Sequence, residues 1–555
     1  MKIAMAQINP TVGDFSGNTA KILDFLHRAK GQGADVVVFP EMAVAGYPPQ
    51  DLLLENSFLK ANRMALDKIV EKTEGIIATV GFVDYDEEDL FNAAAIIQDG
   101  AIVRVVHKTL LPTYDVFDEA RYFTPQDSDQ IRPIPLRVGD KIIQFGVQIC
   151  EDLWDDEYDI KVTDILVGRG AQLILNISAS PFYSAKRFKR EEEVRDRAVA
   201  NKVPIFLTNL IGGQDELVFS GQSVAIGADG KVIATGEDFE EDLIITELDP
   251  DTMSAPAVPK PSYHKYSEMF SAVVLGLRDY FKKTGFERAV LGLSGGIDSS
   301  LTACIAAEAL GAENVIGVSM PSKFSSDHSK SDAELLAQNL GLHYVQTSIQ
   351  ATVDQFHAST KDLLSELRTI YKVKPDNDDP VADENIQPRV RGNILMDISN
   401  RFRDLRILVL NTGNKTELAL GYCTLYGDMT GGVSVIGDVS KLEVYALAKW
   451  YNKKMGRDVI PKGSIEKKPS AELKPDQFDP FDFDVVSPLV DDIIEDRKSQ
   501  VELVELGYPA DIVKDIYARI RRAEYKRWQA APCIRITKKA FGVGWKMPIV
   551  NKHQG

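Results

Sequence analysis

A strand that runs straight into a loop of serines and glycines, and from there into a helix, leaves few folds open. Residues 288–293 are apolar enough for a buried strand, Ser294-Gly-Gly-Ile-Asp-Ser-Ser300 forms the loop, and Leu301–Leu310 has apolar residues at helical spacing until Gly311 stops it. Glycines let the backbone approach a phosphate, N–H groups at the helix start point at it, and serine hydroxyls add donors, so this order builds an anion site. No Gly-Lys-Ser/Thr follows, so the loop is not of the Walker type. Ser-Gly-Gly alone is ordinary turn chemistry. Seven residues between a strand and a helix are more specific.

At 555 residues the chain is too long for one core and implies two to four domains. Its 44% hydrophobic and 26% charged residues fit packed domains rather than disorder. A net charge of −18 argues against a nucleic-acid surface, which needs a basic stripe, while anionic small ligands can still be held by local Arg/Lys clusters. The opening Met1–Ile8 reads as a short strand, not a signal peptide, and no run of about 18 apolar residues occurs. A soluble, cytoplasmic protein with no membrane partner is expected. Cys150, Cys304, Cys423 and Cys533 lack paired spacing, so neither a disulfide framework nor a zinc site is indicated.

From Lys2 to about Leu248 short β-rich runs alternate with helices: 2–7, a helix over 19–30, then runs at 35–39, 75–82, 93–97, 142–148, 173–177 and 205–210. Strands of this kind, covered on both faces, predict an α/β sandwich. Polar residues stand where these runs end: Glu41 after Val-Val-Val-Phe-Pro, Lys108 after Val-Arg-Val-Val-His, and Cys150 after Phe-Gly-Val-Gln-Ile. A base, a cation and a thiol at three strand ends suit acyl transfer, in which the thiolate attacks an amide carbon and the ammonium stabilises the oxyanion. Taken singly, each has a plainer reading. Glu41 can cap a helix, Lys108 can be a surface charge, and Cys150 can be a small buried hydrophobe.

Residues 39–48, 107–123 and 149–154, which surround those three positions, resemble the three signature segments of the nitrilase superfamily. The resemblance implies an αββα sandwich carrying a Glu41/Lys108/Cys150 catalytic triad with Glu119 as a second carboxylate. The detail is closer to the glutamine amidase domain of the glutamine-dependent NAD synthetase family. By that likeness Tyr47, Tyr114, Glu151, Trp154, Ser180 and Lys186, together with Glu119, line a glutamine pocket.

Residues 248–262 are rich in proline and cannot run as a helix, so they read as a short, stiff linker. The expected division is a domain over 1–248, a linker over 249–265 and a second domain over 266–555. In that second domain Tyr266–Lys282 reads as an amphipathic helix and Val315–Ser322 as the next strand. Alternation of strands and helices implies a doubly wound parallel sheet. Residues 323–331 are polar and free of glycine, which fits either a mobile loop over phosphates or a solvated turn. Glu384–Phe402 reads as a helix start with two arginines, and Ile407–Glu417 as a strand ending in small polar residues and a carboxylate. Asp298 and Glu417, from different strand ends, can together make a magnesium site.

Ser294–Ser300 resembles the pyrophosphate loop of the N-type ATP pyrophosphatases, which adenylate a substrate oxygen. Glu384–Gly392, Asn411–Glu417, Leu425–Gly432 and Ser470–Gln477 narrow that likeness to the NAD synthetase family, and with the amidase half the resemblance covers nearly the whole chain. It implies that Gly292, Leu293, Ser294, Gly295, Gly296, Ile297, Asp298, Ser299 and Thr412 hold ATP. Deamido-NAD would meet Asn385, Glu417 and Lys526, with Arg389 nearby. Mg²⁺ is the implied cofactor, and an enclosed passage for ammonia and homo-oligomers, dimeric or octameric, are also implied. Residues 478–488 depart from the Leu-Pro-Pro-Tyr stretch usual after Ser-Ala-Glu-Leu, which leaves contacts made there open. Three other readings are weighed against this one. Another amidotransferase would carry a different amidase fold, a stand-alone nitrilase would not use the second half, and a nucleotide sensor would not keep the triad.

Overall fold

The computed structural model describes residues 1–374, 379–474 and 477–553, so Pro475 and Asp476 of the Ser470–Gln477 segment lie outside the described residues. The chain divides into two compact units, Met1–Leu275 and Gly276–Gly555. No helix among the described residues is long and apolar enough to cross a membrane.

Unit 1 is built on β1 (Lys2–Gln7), β2 (Val36–Val38), β3 (Ile77–Tyr85), β4 (Leu90–Gln98), β5 (Ala101–His107), β6 (Ile134–Val138) and β7 (Lys141–Ile149). It continues through β8 (Leu173–Ser178), β9 (Ile205–Asn209), the hairpin β10 (Ile211–Gln214) and β11 (Leu217–Ser220), β12 (Val224–Ile226), β13 (Val232–Thr235) and β14 (Asp242–Glu247). One six-stranded sheet has the order β14-β1-β2-β3-β4-β5 and the other β13-β12-β9-β8-β7-β6. The period of two in strand side chains explains the layering. Ile3, Met5, Val36 and Val38 face one way and pack with Phe145, Val147, Leu173 and Phe206 of the other sheet, while Ala4, Ala6 and Val37 face the other way. There they meet α1 (Phe15–Gly31) and α2 (Asn56–Lys72) through Ile22, Phe25, Leu66 and Ile69. Ile174, Ile205 and Leu207 likewise meet α3 (Val162–Gly168) and α4 (Lys186–Asn201). The result is the αββα sandwich that the resemblance implied.

In chain order α5 (Lys265–Thr284) is followed by unit 2's parallel sheet of β15 (Arg288–Gly292), β16 (Val315–Ser319), β17 (His343–Gln346), β18 (Ile407–Asn411) and β19 (Val433–Ser434). The order β17-β16-β15-β18-β19 reverses direction at β15, and ligands of open α/β sheets bind outside the strand ends at such a point. The Ser/Gly loop leaves β15 there and enters α6 (Ile297–Leu310), which is buried around most of its circumference. The doubly wound sheet thus matches the expectation.

Two stretches differ from the sequence reading, and a third carried none. Residues 327–331 are the first turn of α7 (Asp327–Leu340), not a loop, because the Ser326 side chain accepts from Ser329 N and caps the helix. After α8 (Gln350–Tyr371), α9 (Val381–Arg401) begins three residues before Glu384 and runs through Pro388. Beyond α10 (Lys415–Leu420), α11 (Lys441–Met455) and α12 (Lys462–Glu466), most of the atypical 478–488 segment forms the start of α13 (Phe483–Ile494), whose N-cap is Asp482.

Candidate active sites

In unit 1 the rim formed by the ends of β2, β5 and β7 holds Glu41, Lys108 and Cys150, all buried. Lys108 Nζ donates to Glu41 Oε1 at 2.8 Å and to both oxygens of Glu119 at 2.9 and 2.8 Å. Asn92 of β4 donates to Glu41 Oε1 at 2.6 Å, and the Ala179 backbone N–H donates to Glu41 Oε2 at 2.8 Å, so three donors fix this carboxylate. Tyr47 OH donates to Glu119 Oε1 at 2.9 Å. Backbone packing leaves no slack on the carboxylate side: a Cβ on Gly81 would stand 2.3 Å from Pro40 O and 2.5 Å from Met42 N.

Cys150 follows β7 with φ of 44°, a left-handed conformation that costs a non-glycine residue about 1–2 kcal/mol. Asp152 secures the turn. Its carboxylate accepts backbone N–H groups from Ile149 at 3.0 Å, Thr109 at 3.0 Å and Leu110 at 2.8 Å, tying the exit of β7 to that of β5. Burial pushes the Cys150 thiol well up, and the negative charge of Glu41 adds to this while Lys108 opposes it. Cys150 therefore favours the neutral thiol over the thiolate. Burial works against a charge on Lys108, yet Glu119 and Glu41 outweigh it and hold the ammonium protonated. Glu119 is pushed up, chiefly by burial and against the pull of Lys108.

A second group gathers around Glu151, which accepts from Tyr114 OH at 3.0 Å and from Tyr158 OH at 3.1 Å. Lys186 Nζ lies 5.9 Å from the Trp154 ring centroid and donates to Pro181 O at 2.8 Å. Burial raises the Glu151 pKa, with Lys108 and Lys186 both pulling it back, so this carboxylate senses cations of both groups. Ser180 is placed by its backbone N–H, which donates to Asn209 Oδ1 at 2.9 Å. Unit 1 thus brings Glu41, Lys108, Glu119 and Tyr47 together, with Cys150 electrostatically coupled to them, and groups Tyr114, Glu151, Trp154 and Lys186 beside them.

In unit 2 a cavity of about 300 Å³ opens at the end of β15. Gly292, Leu293, Ser294, Gly296, Ile297, Asp298, Ser299, Thr412 and Glu417 line it. Gly295 turns the loop at φ of 77°, where a Cβ would stand 2.2 Å from Ser329 O, and its carbonyl accepts from Ser464 Oγ at 2.9 Å. Ser294 Oγ lies 3.1 Å from Ser299 Oγ and accepts from Gly296 N at 3.1 Å, so the loop is shaped before any ligand arrives.

Asp298 accepts from Asn414 Nδ2 at 2.8 Å and from Lys441 Nζ at 2.6 Å, and the same ammonium reaches Glu417 Oε1 at 3.2 Å. Asn414 also caps α10 by accepting from Glu417 N at 3.0 Å, which places Glu417 toward Asp298. Burial pushes Glu417 up to about 7, with Lys441 lowering it and the negative charge of Asp298 raising it. Two carboxylates converging on one cation fit Mg²⁺, which takes one or two carboxylates and completes its shell with phosphate oxygens and water. Among the described residues no three His, Cys, Asp or Glu gather into a cage of their own.

The remaining expected substrate contacts grip one segment from outside the cavity lining. Lys526 Nζ donates to Gly421 O at 2.8 Å and to Cys423 O at 2.6 Å, Asn385 Oδ1 accepts from Thr424 Oγ1 at 2.8 Å, and Arg389 Nε donates to Leu425 O at 3.2 Å. The segment they hold contributes Tyr422 and Cys423 to the cavity wall.

Sequence reasoning missed Asn92, Asp152, Tyr158, Asn414 and Lys441. Asn92 left a trace as the one polar residue inside the apolar run 91–97. Lys441 left another, as the cation that follows the largely apolar run 433–440 at the next strand end.

Residues 2–257 match the family model of carbon-nitrogen hydrolases and residues 269–530 that of NAD synthases. The glutamine-dependent NAD(+) synthetase of Thermotoga maritima is 41% identical, with all of this chain and 99% of the relative aligned, and that of Synechocystis is 41% identical over 99% and 98%. Among solved structures, the Acinetobacter baumannii glutamine-dependent NAD(+) synthetase in complex with ADP superposes with a TM-score of 0.78 at 35% identity, covering 99% of this chain and 98% of that one. The Cytophaga hutchinsonii synthetase, at 22% identity and a TM-score of 0.82, shares the fold. With a hydrolase unit and a synthase unit in that order, and identity of this extent along the whole length, the chain belongs to the glutamine-dependent NAD(+) synthetases.

Proposed function

We propose a division of labour between the two units for the amidation of deamido-NAD to NAD with ATP and glutamine, the last step of NAD biosynthesis. The reading is carried by the buried Glu41–Lys108–Glu119 cluster around Cys150, present in the same chain as a preformed anion loop beside a cavity of about 300 Å³. In unit 1 the glutamine side-chain amide is attacked by Cys150 Sγ as its proton passes to Glu41. A general base is required because burial keeps the resting thiol protonated. Lys108, fixed by two carboxylates, turns one N–H from its paired bonds with Glu119 to the tetrahedral oxyanion. Ammonia leaves, and water then releases glutamate from the thioester. Glu151, with its two phenols, suits the substrate α-ammonium, and Lys186 suits the α-carboxylate.

In unit 2 the 292–299 loop and Thr412 hold the ATP phosphates by backbone N–H and hydroxyl donors. The nicotinate carboxylate attacks the α-phosphorus, pyrophosphate leaves, and ammonia displaces AMP from the acyl adenylate. Mg²⁺ held by Asp298 and Glu417 would neutralise charge on the leaving pyrophosphate. Lys526, Asn385 and Arg389 fix the 421–425 segment as one wall of the deamido-NAD site. The adenylate would lie between α9 and the 467–473 segment, which wall two sides of the cavity and limit the approach of water.

The test is Cys150→Ala assayed with two nitrogen donors. NAD formation from glutamine should fall to background while formation from ammonium salts continues at the wild-type rate. Equal loss with both donors would refute the assignment of Cys150 to the glutamine half-reaction.

A further inference from the structure

We propose that Lys441 excludes free divalent metal from unit 2, so that the metal enters with the nucleotide. The inference rests on the reading of Asp298 and Glu417 as the metal carboxylates. Lys441 is in the first turn of α11, after the N-cap Ser440, and its backbone N–H donates to Thr416 Oγ1 at 3.0 Å. Its side chain is nearly buried, and the ammonium stands 2.6 Å from Asp298 Oδ2 and 3.2 Å from Glu417 Oε1. It also lies 5.7 Å from the centroid of the Phe483 ring, which backs it.

A metal ligated by both carboxylates, at the roughly 2.0–2.1 Å that Mg²⁺ demands, must occupy the space between them. The ammonium fills that space. Ammonium and metal carry like charge and cannot both sit there, so a bare ion must displace the ammonium from both carboxylates, leaving it the charge of Asp479 nearby. ATP changes the exchange: its phosphates carry the metal in and give the displaced ammonium new oxygens to contact. Lys441 is thus a positioning residue, holding two carboxylates in register while keeping them closed to a bare ion.

The experiment is a Mn²⁺ titration of the full-length protein without nucleotide, with free Mn²⁺ read by electron paramagnetic resonance. Lys441→Met and Lys441→Gln should each bind one Mn²⁺ per chain about tenfold or more tighter than wild type, because removing one positive charge in contact with the site favours a dication. Lys441→Arg should remain as weak as wild type. Adding Glu417→Gln to Lys441→Met should abolish the tight site. A lysine that served packing alone would destabilise the chain when removed without raising metal affinity. If both neutral variants bind Mn²⁺ no tighter than wild type, the proposal is overturned. The underlying metal-site reading fails by a different result: Asp298→Asn leaving Mn²⁺ binding in the presence of ATP unchanged.

Discussion

Replacing Lys108 by methionine tests the unit 1 cluster through both stability and catalysis. The ammonium is 1% exposed and its partners Glu41 and Glu119 are 0% and 5% exposed, so solvent screens little of the interaction. Removing one member of a buried ion pair costs about 3–5 kcal/mol, because the partner is left charged and unmatched. Here two carboxylates lose a shared counter-ion, which places the cost toward the upper end at pH 8. Lowering the pH provides an outlet. Burial already raises the Glu119 pKa, and loss of Lys108 removes the main influence lowering it. A carboxylate whose folded pKa lies above its unfolded value of about 4.3 binds protons more tightly when folded, so stability falls as pH rises through that window. Lys108→Met should therefore regain part of its lost stability between pH 8 and pH 5. Hydrogen exchange of β4 and β7 amides in urea reads the stability of unit 1 separately. In the same variant glutamine hydrolysis should fall ~10²–10³-fold, the effect of losing one oxyanion donor, with ammonia-driven NAD formation retained. Exchange protection like that of wild type at pH 8 would show that the ammonium does not hold the cluster together. Glutamine turnover within tenfold of wild type would remove Lys108 from the oxyanion.

Two further substitutions address unit 2. Asp298→Asn should lower AMP release by ~10²-fold or more even with ammonia as donor, since transition-state charge loses its counterweight, and normal turnover would exclude Asp298 from the reaction. Gly295→Ala forces a Cβ to 2.2 Å from Ser329 O in a left-handed turn, so the loop must open. The KM for ATP should rise about tenfold or more while glutamine hydrolysis persists, and an unchanged KM would show that loop shape does not govern ATP binding.

Much of this architecture can be read from local chemistry. Alternating side chains in Ile3–Ala6 and an uninterrupted Val36–Val38 announce sheets covered on both faces, and Ser294–Ser300 between a strand and a helix announces an anion loop. Polar groups at the ends of apolar runs marked Glu41, Lys108, Cys150 and Glu417 because strand ends are where an α/β fold gathers side chains into sites. Residues acting from the middle of an element or across it were not legible. Asn92 points from within β4 to a carboxylate 51 positions away, and Lys441 reaches an aspartate 143 positions away. Whatever each leaves in its own neighbourhood, neither spacing names the partner. The helix start at Asp327 was missed for a different reason: serines that look like loop residues were the cap itself.

Asp152 has a mechanical consequence. With one side chain clasping three amides from two strand exits, the thiol and the ammonium share an anchorage. Parting the rim at this point would require the Thr109 and Leu110 amides both to leave Asp152 Oδ1, which holds the exits of β5 and β7, and with them Lys108 and Cys150, in a fixed relation. A disturbance in the 109–126 crossover should consequently be felt at the sulfur, which also lies within the electrostatic reach of Tyr114 and Glu119 in that stretch.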